Sequence, residues 1–568
     1  MKIQARNRVA LTIFLLGGAG IYLTGIKWGL PSPSLNHLYF QNEAAVQERT
    51  TLLENYGDEI RPDASQQIVP RSWYNPIRSY HPDEYFVLKS LAAMNPKNFD
   101  FNTREISIGG AYLYPLGTLF FLLDRIGILN LTSNLGYYFF HPEEFAKFYI
   151  AGRMVAAAFG IGVLWLTYLL AFRLWKKRIA GYLAAILTGL CPLILLNSHY
   201  MYVDIPGLFW ITLTLYLGVK YLQEQNKPSR CAPLLMGATS GLAFGTKLPF
   251  LPILAVPILT FILSREMSSR EKIKNIFVSI VVFFLVFFIT NPCFFVSAVG
   301  QTAGIVKNEA IYSFQSIAYL KSLGFGLGLP LLLFSLSGLF FSFKKEKNEP
   351  CVYDKTLVVT WIIIFYLFIS QFAIHFGRYI LPVVPALIAG SMGFWLKPSR
   401  MRILNFIKAA SVLFVTVTTF FYGMAYLSLF LKKNTRTLAG EWIKKNIPAD
   451  AVIGVTEVPW QFQMAPLDEN RYRLKITGYD LKELEKIQPD YFILSSFQAG
   501  IPPTPKQMPP ERNLFWDEFR KSTKYRKLIS FRQPLSFTGI VFNQNGATED
   551  LIYLNPTITV FEKTGLPR

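Results

Sequence analysis

Apolar runs almost free of charge, such as Ile276–Ile289 and Leu329–Leu339, constrain this chain more than any other feature of its sequence. A backbone inside a bilayer must satisfy its polar groups within a helix, so roughly 17–25 consecutive apolar residues mark a span. Of the 568 residues, 52% are hydrophobic, 15% aromatic and only 16% charged, whereas a soluble chain carries about a quarter charged residues. The expected fold class is a polytopic α-helical membrane protein with a soluble α/β domain at its C-terminal end. Candidate spans lie at about 9–27, 150–172, 180–197, 204–222, 232–246, 249–264, 275–295, 325–343, 356–373, 379–396 and 407–430.

The net charge of +21 could suggest nucleic acid, but the basic residues sit in short clusters between the apolar runs. That placement marks cytoplasmic loops beside anionic lipid, and no nucleic-acid partner is expected. Lys2, Arg6 and Arg8 precede the first span. Arg173, Lys176, Lys177 and Arg178 follow the second, and Lys220, Lys227 and Arg230 the fourth. Arg265, Arg270, Lys272 and Lys274 follow the sixth, Lys344, Lys345 and Lys347 the eighth, and Lys397, Arg400 and Arg402 the tenth. With eleven spans every cluster falls on one side. The N-terminus is then cytoplasmic, while the first long loop (28–149) and the C-terminal domain are extracytoplasmic.

One segment threatens that alternation. Ala111–Leu123 is apolar, but Asp124 and Arg125 close it early, so an interfacial or re-entrant helix is expected there. No small-residue cleavage site follows the N-terminal apolar stretch, which reads as a retained span. Cys191, Cys231, Cys293 and Cys351 form no CxxC pair, so neither a disulfide framework nor a zinc site is expected.

From about residue 432 the composition changes. Residues 437–448 read as an amphipathic helix, Ala451–Val455 as a buried strand, Leu481–Ile487 as a helix and Tyr491–Leu494 as a strand. A Pro-rich loop at 501–510 and a late strand at Thr557–Phe561 complete a small α/β domain over 432–568, after a membrane module over 1–431.

Several ionisable residues fall on the outer face. The first loop carries His81-Pro82-Asp83-Glu84, which read blandly is a helix start with acids at the positive end of the dipole. Asp204, in NSHYMYVDIPG, lies on the same face, where an acid is costly unless solvated or used. Lys247 in GLAFGTKLPFLP, Arg378 and Tyr379 in AIHFGRYILPVVPAL, and Arg153 in FYIAGRMVAAAFG fall there too. Each cation alone reads as a snorkelling or interface anchor. Three acids and three cations on one rim would suit an anionic phosphate headgroup beside a group that needs deprotonation. An acidic helix at Asn42–Tyr56 reads either as a solvated surface helix or as a cover over the acceptor entrance.

The order of these features resembles the GT-C glycosyltransferase superfamily, in its protein-mannosyltransferase-like branch. That branch includes the dolichyl-phosphate-mannose protein mannosyltransferases and the aminoarabinose transferases of lipid A. The similar parts are HPDE, YLYPLG, GRMVAAAFGIGVLWLTYLLAFRLWKKR, YVDIPG, GLAFGTK and RYILPVVP, over residues 1 to about 430. The resemblance implies an inverting transferase that moves a sugar from a polyprenyl-phosphate donor to an acceptor hydroxyl. Asp83 would be the general base, and Glu84 and Asp204 would orient the acceptor, tune the base or help hold a divalent ion. Arg153, Lys247 and Arg378 would bind the carrier phosphate.

His81, Tyr114, His375 and Tyr379 are further candidates for substrate binding. The family stretch around Tyr114-Pro115-Leu116 often carries a nearby charge that is missing here, which puts more weight on Arg153 and Lys247. No cofactor is expected with certainty. A divalent cation is left open, with no metal site assigned, since two scattered histidines are weak evidence for one. The partners expected are the lipid-linked donor, a glycan, lipid or protein acceptor, and membrane lipids of a bacterial-type inner membrane. A transporter or lipid flippase is the alternative, but its polar groups would gather nearer mid-membrane.

Overall fold

The computed structural model describes residues 2–56, 75, 77–224, 229–295, 316–342, 353–372, 376–457, 461–498 and 510–565. His375, Cys351, Lys227, Lys344, Lys345, Lys347 and the loop at 501–509 lie outside the described residues. The chain forms two compact units. One comprises Met1–Ile26, Phe86–Leu119 and Gly152–Leu427; the other comprises Lys27–Tyr85, Phe120–Ala151 and Ser428–Arg568. Much of the first loop, expected to belong with the helices, therefore groups with the C-terminal residues.

Every predicted span falls on helix, but the helices are unequal. Among the described residues five are long and apolar enough to cross a membrane: Pro142–Trp175, Asp204–Gln223, Ser269–Thr290, Gly377–Leu396 and the helix that starts at Arg402. A sixth candidate is the pair Ser316–Leu327 and Leu329–Ser342, bent by 113°. Gly328 makes that corner with φ +83°, a conformation that costs a glycine little. The count of eleven therefore rests on the charge pattern. Among the shorter segments, the predicted span 180–197 is broken at Cys191-Pro192 into Arg178–Leu190 and Pro192–Asn197, because Pro192 cannot donate into the preceding turn.

Two helix starts differ from expectation. The second span begins at Pro142, eight residues earlier than predicted, with Glu143 and Glu144 in its first turn at the positive end of the dipole. The helix after HPDE runs Glu84–Ala92, so Pro82 and Asp83 form a turn ahead of it rather than its first turn. Ala111–Leu123 lies in a helix, Gly110–Arg125. Just before that helix, Gly109 N–H donates to Thr246 O at 3.0 Å. A Cβ on Gly109 would stand 1.9 Å from Gly245 O, so only glycine fits this backbone contact.

In the second unit a five-stranded sheet is built from β1 (Val452–Val455), β2 (Arg473–Ile476), β3 (Tyr491–Ser495), β4 (Tyr525–Phe531) and β7 (Ile558–Lys563), in the order β2-β1-β3-β7-β4. A hairpin, β5 (Ser536–Phe537) with β6 (Ile540–Val541), stands apart from it. β1 runs parallel to β2 and β3, and β7 antiparallel to β3 and β4. All five residues of β3 are buried, as its unbroken apolar run demands of a central strand. On one face Ile453, Val455, Ile493, Ile558 and Val560 pack with Ala439 and Ile443 of the helix Thr435–Asn446. On the other, Phe492 and Leu494 meet Phe515, Trp516 and Phe519. β2 and β4 were not anticipated, because RLKI and YRKLISF mix charges into short edge segments.

The helix Glu43–Tyr56 is not a freely solvated surface element. Arg49, 3% exposed, forms an ion pair with Glu469 of the C-terminal region. The Gly109 contact yields a direct test. Gly109→Ala should cost about 1–3 kcal/mol or more through backbone overpacking, read as a lowered thermal midpoint of the purified protein in detergent, whereas Gly20→Ala, in open space, should not.

Candidate active site

Three interrupted helix ends bring charge together in the first unit. Asp204 occupies the first turn of Asp204–Gln223, where the dipole favours an acid. Lys247 caps the C-terminal end of Ala232–Thr246, where it favours a cation. Arg378 lies in the 3-10 turn Gly377–Val383 that leads into Val384–Leu396. Proline shapes both of the flanking turns: Leu248-Pro249 follows Lys247, and Pro382 follows Arg378.

Lys247 Nζ donates to Asp204 Oδ1 at 2.6 Å, and Arg378 Nε stands 3.7 Å from Asp204 Oδ2. Asp204 is 2% exposed, Arg378 4% and Lys247 6%. Two tyrosines complete the enclosure. Lys247 Nζ lies 4.6 Å from the Tyr379 ring centre and 5.8 Å from that of Tyr202. The Arg378 guanidinium lies 5.5 Å from Tyr202 and 5.7 Å from Tyr379. Cations held over ring faces gain electrostatic attraction without adding negative charge. Lys247 and Arg378 thus both face the Asp204 carboxylate, one through each of its oxygens. Buried charge of this kind is stable only when paired.

Of the predicted site residues, this cluster unites Asp204, Lys247, Arg378 and Tyr379. Arg153 lies twelve residues into its helix rather than at its start, is 1% exposed, and donates from Nη1 to Ile26 O at 2.7 Å. Beside it His199, not anticipated, sets Nδ1 2.7 Å from Leu195 O and Nε2 3.0 Å from Thr24 O. Tyr114 donates to Phe101 O at 3.0 Å and lines a small recess with Glu105, Leu248 and Asn291. Tyr202, also missed, was legible only as a tyrosine two residues before Asp204.

His81, Asp83 and Glu84 belong to the second unit. Glu84 is fully buried and accepts from Ser79 Oγ at 2.6 Å, so its carboxylate holds the loop. Asp83 remains partly exposed. Its N–H donates to His81 Nδ1 at 3.3 Å, which puts the proton of a neutral imidazole on Nε2.

The loop is braced from far along the chain. Tyr80 N–H donates to Gly29 O at 2.8 Å, the Tyr80 hydroxyl meets Thr437 Oγ1 at 2.9 Å, and the His81 ring packs edge-on against Tyr553 at 5.3 Å. Burial pushes the Tyr80 hydroxyl up to about 12, against the opposing pull of Thr437 and Arg436. Arg436 itself is fully buried, 4.4 Å over Tyr80, and donates to Asn434 Oδ1 at 2.8 Å and to the carbonyls of Phe462 and Tyr553. No sequence signal marked Arg436. Among the described residues no group of three or more His, Cys, Asp or Glu could hold a metal ion.

Residues 127–299 match the model of the family described as dolichyl-phosphate-mannose-protein mannosyltransferase. The chain resembles the protein-mannosyltransferase-like branch of the GT-C glycosyltransferases. The matched stretch contains Arg153, Asp204 and Lys247 but neither Asp83 nor Arg378.

An uncharacterised protein of Aquifex aeolicus strain VF5 is 24% identical over 328 residues, 57% of this chain and 62% of its own length. The chain thus spans less than two thirds of that curated relative. Among solved structures, apo ArnT from Cupriavidus metallidurans is 16% identical, with 78% of this chain and 73% of that one covered and a TM-score of 0.41. AglB from Archaeoglobus fulgidus, an oligosaccharyltransferase in complex with an inhibitory peptide and a dolichol-phosphate, is 10% identical, with 98% and 89% covered and a TM-score of 0.42. At these scores the likeness carries no inference about this chain.

The charge cluster has a measurable signature. Asp204→Asn leaves two buried cations without their carboxylate and should cost about 3–5 kcal/mol. Asp204→Asn with Lys247→Met should cost less than the sum of the single changes, by about 1–3 kcal/mol. Thermal unfolding of the four proteins in one detergent measures the coupling, and strict additivity would show that the pair does not act as a unit.

Proposed function

We propose that this protein is an inverting glycosyltransferase that moves a sugar from a polyprenyl-phosphate donor to an acceptor hydroxyl on the extracytoplasmic face of a membrane. The observation that carries this reading is the buried Asp204–Lys247–Arg378 set, which places two cations side by side at interrupted helix ends. The family match over 127–299, which includes two of the three residues, supports it.

In this reading Lys247 and Arg378 hold the carrier phosphate. Asp204 fixes the two cations rather than orienting the acceptor, because both of its oxygens already face them. Tyr202 and Tyr379 wall off water, so the same charges act in a less polarisable surrounding. The resemblance assigns the proton of the acceptor hydroxyl to Asp83, the partly exposed acid of HPDE. The hydroxyl oxygen then bonds to the anomeric carbon from the face opposite the phosphate, and the carbon–oxygen bond to phosphate breaks. The leaving phosphate carries the electron pair away as negative charge, which two preorganised cations stabilise as it develops. Phosphate leaves readily, so charge stabilisation matters more than a strong acid. Glu84 keeps the Asp83 turn in shape through Ser79.

Two expected outcomes test the reading. Radiolabelled sugar should move from polyprenyl-phosphate monosaccharides to acceptor or water with the wild type. Asp83→Asn should lower that rate by at least a hundredfold, within the range general bases supply, with the protein still folded and inserted. Lys247→Met should instead weaken donor binding. If neither the wild type nor the variants consume donor, transport of lipid or solute becomes the reading to test. For topology, a periplasm-active reporter fused after residue 568 should be active, and one placed after Arg230 should not.

A further inference from the structure

The helix Arg402–Leu431 diverges from its neighbours. At Gly423 it lies so close to the helix Arg178–Leu190 that a Cβ would stand 2.3 Å from Leu190 O. Towards its own start a cavity of about 540 Å³ lies beside it, walled by Ile179 and Leu183, Trp395 and Leu396, and Val412 and Leu413. Leu413 is 66% exposed and Ile179 53%. This wedge is apolar along its length and basic at its open end.

Lys408 lines that end and is unusual for where it stands. Its helix is largely exposed, with only 17% of the apolar window buried, yet Lys408 itself is 6% exposed. Its Nζ donates to Lys397 O at 3.0 Å and lies 4.2 Å over the Phe394 ring. Both partners are neutral, and among the described residues no carboxylate pairs with it. The nearby charges that act on it are those of Lys397 and Lys177. Lys177 in turn donates to Leu396 O at 2.6 Å. The sequence agrees: neither 391–440 nor 173–198, which together form the wedge, contains an Asp or Glu. A buried ammonium with spare donors and no counter-charge calls for an external anion.

The wedge is separate from the Asp204 cluster. Arg378 lies at the start of the apolar segment Gly377–Leu396 and Lys397 just past its end; its 3-10 turn at about 2.0 Å per residue and its α-helix at 1.5 Å together reach about 33 Å, one hydrocarbon thickness. The basic mouth and the Asp204 cluster therefore stand at opposite ends of one span. By the charge alternation this mouth faces the cytoplasm, where anionic headgroups meet basic pockets between helices. Its volume falls within the ordinary range of small-molecule sites.

We propose that this wedge, between Ile179–Leu183, Trp395–Lys397 and Asn405–Thr416, binds one membrane phospholipid with an anionic headgroup. The phosphate sits at Lys408 and Lys397, and an acyl chain lies along Leu183, Val412 and Leu413. The lipid fills the gap that the diverging helix leaves and supplies the missing negative charge.

Binding to the purified full-length protein, followed by native mass spectrometry, tests this with phosphatidylglycerol and phosphatidylcholine of identical chains. The wild type should bind phosphatidylglycerol roughly tenfold more tightly, since each lysine near a headgroup adds attraction. Lys408→Gln should remove most of that preference, and Lys408→Arg should keep it. Exposed Lys397→Gln should lower it about fivefold, which serves if Lys408→Gln does not fold. Ala409→Trp should reduce binding of both lipids by filling the wedge. Equal affinity for the two lipids overturns the proposal, as does displacement by millimolar inorganic phosphate or an unchanged preference in both lysine variants.

Discussion

The contact of Asp204 with Lys247 and Arg378 is the interaction on which the membrane unit depends. Each of these groups alone would be prohibitively costly at 2–6% exposure. Together they are tolerable only if three helix ends stay in register: the start of Asp204–Gln223, the end of Ala232–Thr246 and the turn before Val384–Leu396. Charge therefore acts as a geometric constraint. It makes sliding or rotation of any one of these elements expensive, where purely apolar contacts in lipid would discriminate weakly.

A second constraint acts in the other unit. Arg436 sits at the positive end of a helix, where the dipole does not favour it, and is accommodated by two backbone carbonyls, Asn434 and the faces of Tyr80 and Trp28. Through Tyr80 it bears directly on the turn that carries His81 and Asp83. The C-terminal region thus acts as a brace for the HPDE loop, which accounts for first-loop residues grouping with a sheet that follows hundreds of residues later.

Much of the architecture was legible because the bilayer imposes a simple rule. Apolar length reports helix, and each of the eleven apolar segments is helical. Where the rule blurred, local chemistry explains the difference. Pro192 breaks one segment, Gly328 bends another by 113°, and Glu143 and Glu144 draw the Arg153 helix back to Pro142. In the soluble region, β3 was readable from its continuous apolar run and β7 from alternation. The charged edge strands β2 and β4 were not readable, since their burial comes only from neighbours.

The sequence by itself determined the helical character of the membrane unit, the placement of basic clusters between its apolar runs and the types of residue available at helix ends. These follow from period, length and local charge, which neighbours along the chain report directly. Only the tertiary structure decided which of those residues meet. Lys247 reaches Asp204 across 43 residues, Arg378 joins them from much further along, and Arg153, equal to them on paper, is turned instead to the Ile26 carbonyl. Lys408 looked like one more basic residue beside a loop until the diverging helix buried it without a carboxylate. The reason is physical. A charged side chain at a helix end pays little for exposure wherever the helix goes, so its sequence context is nearly silent. Its role is set by the cost of desolvation, which exists only once packing has chosen its neighbours.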